Sequence, residues 1–223
     1  MRDNDGIKVH RPFGPVLCEF RMSKNTVDTL NNFVDGLEKD SKLRKELNAG
    51  ANLAGQVSEE IRVPEEVSKQ GIGPELSRAI ATYVLNTTGQ TIKKLTFISI
   101  WIVRQYGTEY NPVHYHDGHL SGAGWLKVPN DLGQPLQENK DNYNGKIQFV
   151  HGSRLFNCAS GVTVKPEVGR MFVFPAYLMH TVYPFYGKEE RRSVAFNANI
   201  DNDIYNPYRK SLKLKDYENV YKK

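Results

Sequence analysis

From residue 95 to residue 200 the chain is built of short β-branched and aromatic runs, each closed by glycine, proline, asparagine or aspartate. The longest is KLTFISIWIVRQYG; LSGAGWLKV, GKIQFV, GVTVKP, GRMFVFP, HTVYPF and RRSVAFNANI follow it. Branched and aromatic side chains suit a half-buried pleated surface, and the punctuating residues supply the turns. About seven such strands without an internal repeat predict an all-β barrel or sandwich. The first third has a different texture. PVLCEFRMS reads as a strand, after which Ser23 is placed to cap a helix carrying Val27, Leu30, Phe33, Val34 and Leu37 at helical spacing. A second helix is expected to start at Pro74, with Leu76, Ile80, Tyr83 and Val84 on one face and Gly89 at its end. The expected fold class is therefore mainly β with flanking helices. It forms a single domain over 1–223: mixed helical support over about 1–90, a β core over about 91–200 and a charged C-terminal tail, 201–223. The polar stretch PNDLGQPLQENKDNYNG, 129–145, is long for a hairpin loop and reads as a lid or an ornament.

Charge and cysteine content narrow the setting. The net charge of +5 comes from 30 basic against 25 acidic residues, and part of the excess sits in the tail YRKSLKLKDYENVYKK. A basic tail is weak support for nucleic-acid binding, and no nucleic-acid partner is expected. Cys18 and Cys158 form no CxxC motif and no framework, which favours a reducing, cytoplasmic setting. The N-terminal stretch MRDNDGIKVHRPFG lacks an apolar signal region, and no run is long enough to span a bilayer, so no membrane partner is expected. In that setting the glycosylation sequon at Asn86 is empty.

The stretch NPVHYHDGHLSG, 111–122, concentrates three of the chain's six histidines. In a strand, residues i and i+2 share a face, which puts His114 beside His116, half of a metal site. His180 lies between two later strand-like runs, and Arg191 opens the last strand. In that strand Arg191, Ser193, Ala195 and Asn197 share one face while Arg192, Val194, Phe196 and Ala198 share the other. If the apolar face packs on the helices, Arg191 and Ser193 point into the barrel. An arginine there needs an anion, because an unpaired interior charge costs several kcal/mol. Its planar fork suits a carboxylate, and a neighbouring hydroxyl can donate to the same group.

A histidine pair, a distant histidine, and Arg-x-Ser after ten intervening residues resemble the iron(II)- and 2-oxoglutarate-dependent oxygenases. YGTEYNPVHYHDG, LSGAGWL and GRMFVFPAYLMHTVYP are most similar to the prolyl-hydroxylase-like branch, over roughly residues 90–198. The resemblance implies a double-stranded β-helix, or jelly roll, as the catalytic core. It implies iron(II), 2-oxoglutarate and dioxygen as cofactors, and hydroxylation of an unactivated carbon with release of succinate and carbon dioxide. The implied substrate is a peptidyl prolyl or other amino-acid residue, or a free amino acid. His114 and His180 are the implied metal ligands, and Arg191 with Ser193 the implied seat of the cosubstrate's far carboxylate. The sequence departs from the family's His-x-Asp pattern because His116 stands where aspartate is expected. Either His116 is the middle ligand, or a bulge swings Asp117 into its place. Trp125 and Tyr106 are implied beside the cosubstrate, with Ser121 on Trp125's face. His119 is expected in a loop, and His10 and His151 have no partner at meaningful spacing. Two other functions are open: a three-histidine cupin-like dioxygenase without 2-oxoglutarate, and a non-catalytic β-fold binding module.

Overall fold

A computed structural model of the chain describes residues 14–50, 53–135 and 137–206. His10 and most of the basic tail lie outside the described residues. Ten strands and their helices follow in the order β1 (Cys18–Arg21), α1 (Lys24–Gly36), α2 (Ser41–Glu46), β2 (Glu59–Arg62), α3 (Glu65–Ser68), α4 (Ile72–Thr88), β3 (Leu95–Gln105), β4 (Asn111–His114), β5 (Leu120–Lys127), β6 (Ile147–Val150), β7 (Gly161–Val164), β8 (Arg170–Pro175), β9 (Met179–Val182), β10 (Arg191–Ile200) and α5 (Asn202–Tyr205).

The strands form two antiparallel sheets, a six-stranded one in the order β1-β8-β5-β10-β3-β2 and a four-stranded one in the order β4-β9-β6-β7. Together they make the expected jelly roll, and the helices buttress the larger sheet. Ser23 caps α1 by accepting from the Thr26 N–H, and Gly89 closes α4 in the left-handed conformation. Helix α4 starts two residues before Pro74, which occupies its first turn.

Alternation along β10 sets the two faces of the large sheet. Val194, Phe196 and Ala198 join Ile100 and Ile102 of β3 in a core shared with Leu30 and Val34 of α1 and Leu76 and Ile80 of α4. Each such fully buried aliphatic side chain contributes about 1.5–3 kcal/mol. On the same face a buried charge network ties sheet to helix. Arg192 donates to both oxygens of Glu190, at 2.9 Å each, and to Asp35 Oδ1 of α1 at 2.8 Å. Arg104 of β3 donates to Glu190 at 2.7 Å and to Glu59 of β2 at 3.2 Å. The opposite face of β10 presents Ser193, Ala195 and Asn197 to a cavity between the sheets. Trp125, Phe149, Phe172 and Phe174 fill the rest of that interior.

Candidate metal centre

His114 and His180 are direct cross-strand partners in the β4–β9 pair. Strand β4 ends at His114, and the chain then crosses so that the His116 N–H donates to the Ala176 carbonyl at 2.9 Å. This crossing brings the His116 ring to 4.9 Å from both other imidazoles, while the rings of His114 and His180 lie 4.3 Å apart. One ligand atom from each histidine falls within 4.8 Å of the others. Asp117 is exposed and stands outside the cluster, so His116 joins the pair and Asp117 does not.

The hydrogen bonds fix which nitrogens are free. His114 Nδ1 donates to the Pro112 carbonyl at 2.7 Å, and His180 Nδ1 donates to the Leu178 carbonyl at 2.8 Å. A carbonyl only accepts, so each ring carries its proton on Nδ1 and keeps a lone pair on Nε2. His116 Nε2 lies 3.1 Å from His180 Nε2. Burial, reinforced by the neighbouring imidazoles, lowers His116 to about 3 and His180 to about 4, and it lowers His114 too. Neutral imidazoles with converging lone pairs in an enclosed site are a donor set for a divalent metal. Iron(II) fits these residues.

Arg191 lies on the barrel face of β10, two positions before Ser193, and is 2% exposed. Nη1 donates to Gln105 Oε1 at 2.8 Å, Nε has no partner among the described residues, and no carboxylate reaches the group. The guanidinium sits 5.9 Å from the centre of the Trp125 ring, whose Nε1 also lacks a partner. Desolvation alone pushes Arg191 down to about 9. Its neighbour Arg192 is equally buried but faces two acids. The contrast marks the Arg191 side as a place for a ligand's negative charge, and a dicarboxylic acid such as 2-oxoglutarate fits it. Arg191 and Trp125 do not line the open cavity themselves; it holds about 340 Å³ and is faced by Ser193, Asn197 and the three histidines.

Comparison with known proteins bears on this geometry. Residues 99–197, which run from β3 through most of β10, match the 2OG-Fe(II) oxygenase family model. Over that span the chain is similar to the 2-oxoglutarate–iron(II) oxygenases. Members of the family use iron(II), 2-oxoglutarate and dioxygen. Among solved structures, a prolyl-4-hydroxylase from Pseudomonas putida is similar at 13% identity, over 81% of this chain and 91% of that one, with a TM-score of 0.55. A viral collagen prolyl hydroxylase from Paramecium Bursaria Chlorella virus-1, in complex with 2-oxoglutarate, is 17% identical over 82% of this chain and 94% of that one, with a TM-score of 0.51. A prolyl hydroxylase from Trichoplax adhaerens, in complex with a hypoxia-inducible-factor peptide, is 11% identical over 86% of each chain, with a TM-score of 0.52. No curated protein is a significant sequence match.

The barrel places the remaining expected residues unevenly. Ser121 is buried on Trp125's face and donates to the Phe196 carbonyl and to Asn197 Oδ1, at 2.9 and 3.0 Å. Tyr106 is a correction: it does not reach the cavity, and its hydroxyl accepts from Arg104 Nη2 at 3.0 Å in the helix-side network. Alternation explains this, because Arg104 and Tyr106 share a face while Trp101, Val103 and Gln105 share the other. His119 stacks on Tyr205 at 3.9 Å, and its Nδ1 accepts from the Ile200 N–H, a structural role. His151 is exposed beside β6. The described residues of the 129–145 stretch fold against residues 184–189 through Gly145, Leu132 and Asn130 and do not line the cavity. Two residues were missed: Gln105, which holds Arg191, and Glu60, a buried acid on the cavity wall. The alternation of β3 marks Gln105; an exposed-looking Glu-Glu doublet gives no signal for Glu60.

Proposed function

We propose that this chain is a single-domain, cytoplasmic iron(II)- and 2-oxoglutarate-dependent dioxygenase that hydroxylates an unactivated carbon of an amino-acid residue. The observation that carries this reading is an enclosed guanidinium without a protein carboxylate, Arg191, on the barrel face that also bears the wall of a three-histidine cavity. His114, His116 and His180 hold the metal through Nε2, each neutral because its ring is buried. The carbonyls of Pro112 and Leu178 fix two of the rings in the ligating tautomer. Arg191 takes the far carboxylate of 2-oxoglutarate, with the Ser193 hydroxyl donating beside it and Gln105 holding the guanidinium in place. The Phe149 and Phe174 rings stand 5.9 and 5.1 Å from the His180 ring and would keep water from its buried side. With metal and cosubstrate bound, oxidative decarboxylation to succinate and carbon dioxide supplies the oxidising power. The likeness to prolyl hydroxylases supports a peptide or amino-acid substrate, as a fold-level analogy.

The test is spectroscopic. Iron(II) and then 2-oxoglutarate are added anaerobically to metal-free protein, and a weak visible charge-transfer band is expected only when both are present. Iron bound without the band would overturn the cosubstrate assignment in favour of a three-histidine dioxygenase that uses none. No iron bound would leave a binding module.

A further inference from the structure

One charged group on the cavity wall is not used by this reading. Glu60 is 2% exposed, and its carboxyl has no hydrogen-bond or ion-pair partner among the described residues. It sits on β2 opposite Val103 of β3, on the inward face; Glu59 turns the other way, to Arg44 and Arg104. Glu60 lines the same cavity as His114, His116 and His180. The side chains on that wall include a second acid, Asp117 at the rim, and no lysine or arginine. The space over the carboxyl is kept open by Gly55. A Cβ there would lie 2.8 Å from Glu60 Oε1 and 3.1 Å from Asn111 Nδ2.

An ionised carboxylate enclosed without a counter-charge costs several kcal/mol. Burial accordingly raises the Glu60 carboxyl to about 7. A structural acid would have a partner, as Glu59 and Glu190 do. We propose that Glu60 anchors the substrate, and that the substrate residue is cationic, an alkylammonium or guanidinium side chain of the lysine or arginine type. The ligand's positive end pairs with Glu60 beside the open backbone of Gly55, and the Asn111 amide side chain flanks it. Its aliphatic stem then runs along the cavity wall toward the three histidines. This rests on the oxygenase reading only for the fate of the bound residue; the cation site itself does not need it.

The experiment measures binding, by calorimetry, to full-length protein loaded with zinc(II) and 2-oxoglutarate. The probes are the N-acetyl amides of lysine, arginine and norleucine, the last matching lysine's stem without its charge. Wild type is expected to bind one of the cationic probes at least tenfold more tightly than the norleucine amide. Glu60→Gln keeps the size of the side chain and removes the charge, and it should abolish that preference. Gly55→Ala covers the carboxyl with a methyl group and should weaken the same probe, which keeps the proposal testable if Glu60→Gln misfolds. Which cation is preferred separates an ammonium from a guanidinium substrate. Equal binding of charged and neutral probes by wild type, or a preference that survives in both variants, overturns the proposal. The iron(II)/2-oxoglutarate band recorded on the same proteins separates the two failures. A band without cation preference sinks only the substrate class, and cation preference without a band sinks only the oxygenase reading.

Discussion

Replacing Arg191 by methionine should move ligand affinity and protein stability in opposite directions. The folded protein keeps a guanidinium at 2% exposure with Gln105 as its only side-chain hydrogen-bond partner among the described residues. Desolvation lowers it from the ordinary guanidinium range to about 9. At about 1.4 kcal/mol per unit, that is up to about 5 kcal/mol of destabilisation at neutral pH. The unfolded chain holds this proton to the ordinary, far more alkaline guanidinium range, and the folded chain only to about 9. Between those values the unfolded state binds more protons, so wild-type stability rises with pH there; below pH 9 the penalty is fully present. Methionine removes the penalty. It leaves Gln105 Oε1 unsatisfied, at about 1–3 kcal/mol, and forfeits the contact with Trp125. The net expectation is a metal-loaded, ligand-free variant about 1–3 kcal/mol more stable than wild type in urea at pH 7.5. Charge-assisted bonds to a carboxylate contribute about 1.5–3 kcal/mol, so 2-oxoglutarate affinity should fall roughly 10- to 150-fold. Calorimetric titration and the 2-oxoglutarate-induced rise in melting temperature both read that loss. The reasoning is refuted if Arg191→Met binds 2-oxoglutarate like wild type, or if it is several kcal/mol less stable before any ligand is added.

Arg192→Met should behave oppositely to its neighbour. It strips Glu190 of its bidentate partner and Asp35 of its only bond to β10, for a loss of about 3 kcal/mol in urea unfolding with 2-oxoglutarate affinity unchanged. His114→Ala, His116→Ala and His180→Ala should each lose bound iron in elemental analysis, whereas Asp117→Ala keeps it; the reverse pattern for His116 and Asp117 would move the middle ligand to the carboxylate. The metal-free protein should lose stability as pH falls from 6.5 toward 4, because the unfolded chain protonates histidines that the fold keeps neutral, His116 to about 3 and His180 to about 4. Melting temperatures across that range should be flatter in His116→Phe. Trp125→Phe deletes an indole N–H that has no partner in the ligand-free protein, so it should cost little stability but weaken 2-oxoglutarate measurably by calorimetry.

What was legible in the sequence was whatever local periodicity controls. The alternation of RRSVAFNANI assigned both faces of β10, and the helical spacing from Val27 to Leu37 placed α1 on the outer one. The His114 and His116 pairing was read from i, i+2 geometry within a strand. The side chains do converge, but β4 stops at His114 and a backbone bond to Ala176 completes the approach. Tyr106 was implied beside the cosubstrate by the family resemblance, not by strand alternation. The alternation that governs β3 puts it with Arg104, on the wrong side of the sheet for the cavity. Glu60 was illegible for a different reason. Two adjacent glutamates look solvated, and only the packing of β2 against β3 buries one toward the cavity while giving the other two arginines.

Arg191 and Arg192 show why composition could not have revealed the site. Both are cations, both are buried, and they are adjacent in sequence. A strand sends them to opposite faces, so each meets the chemistry of a different layer. On the helix side, α1, β2 and the residue before β10 supply acids, and Arg192 is consumed in holding the layers together. On the barrel side the neighbours are Gln105, Trp125 and Ser193, none of them charged. A fold that neutralises one arginine with acids and leaves its neighbour without any has kept the second charge for something it does not itself contain. Glu60, across the sheet on β2, is in the same position with the opposite sign. The interior therefore presents a guanidinium beside Trp125 and a carboxyl beside Gly55, the carboxyl on the cavity wall that also bears the histidine cluster. An anionic cosubstrate and a cationic substrate residue satisfy both charges at once.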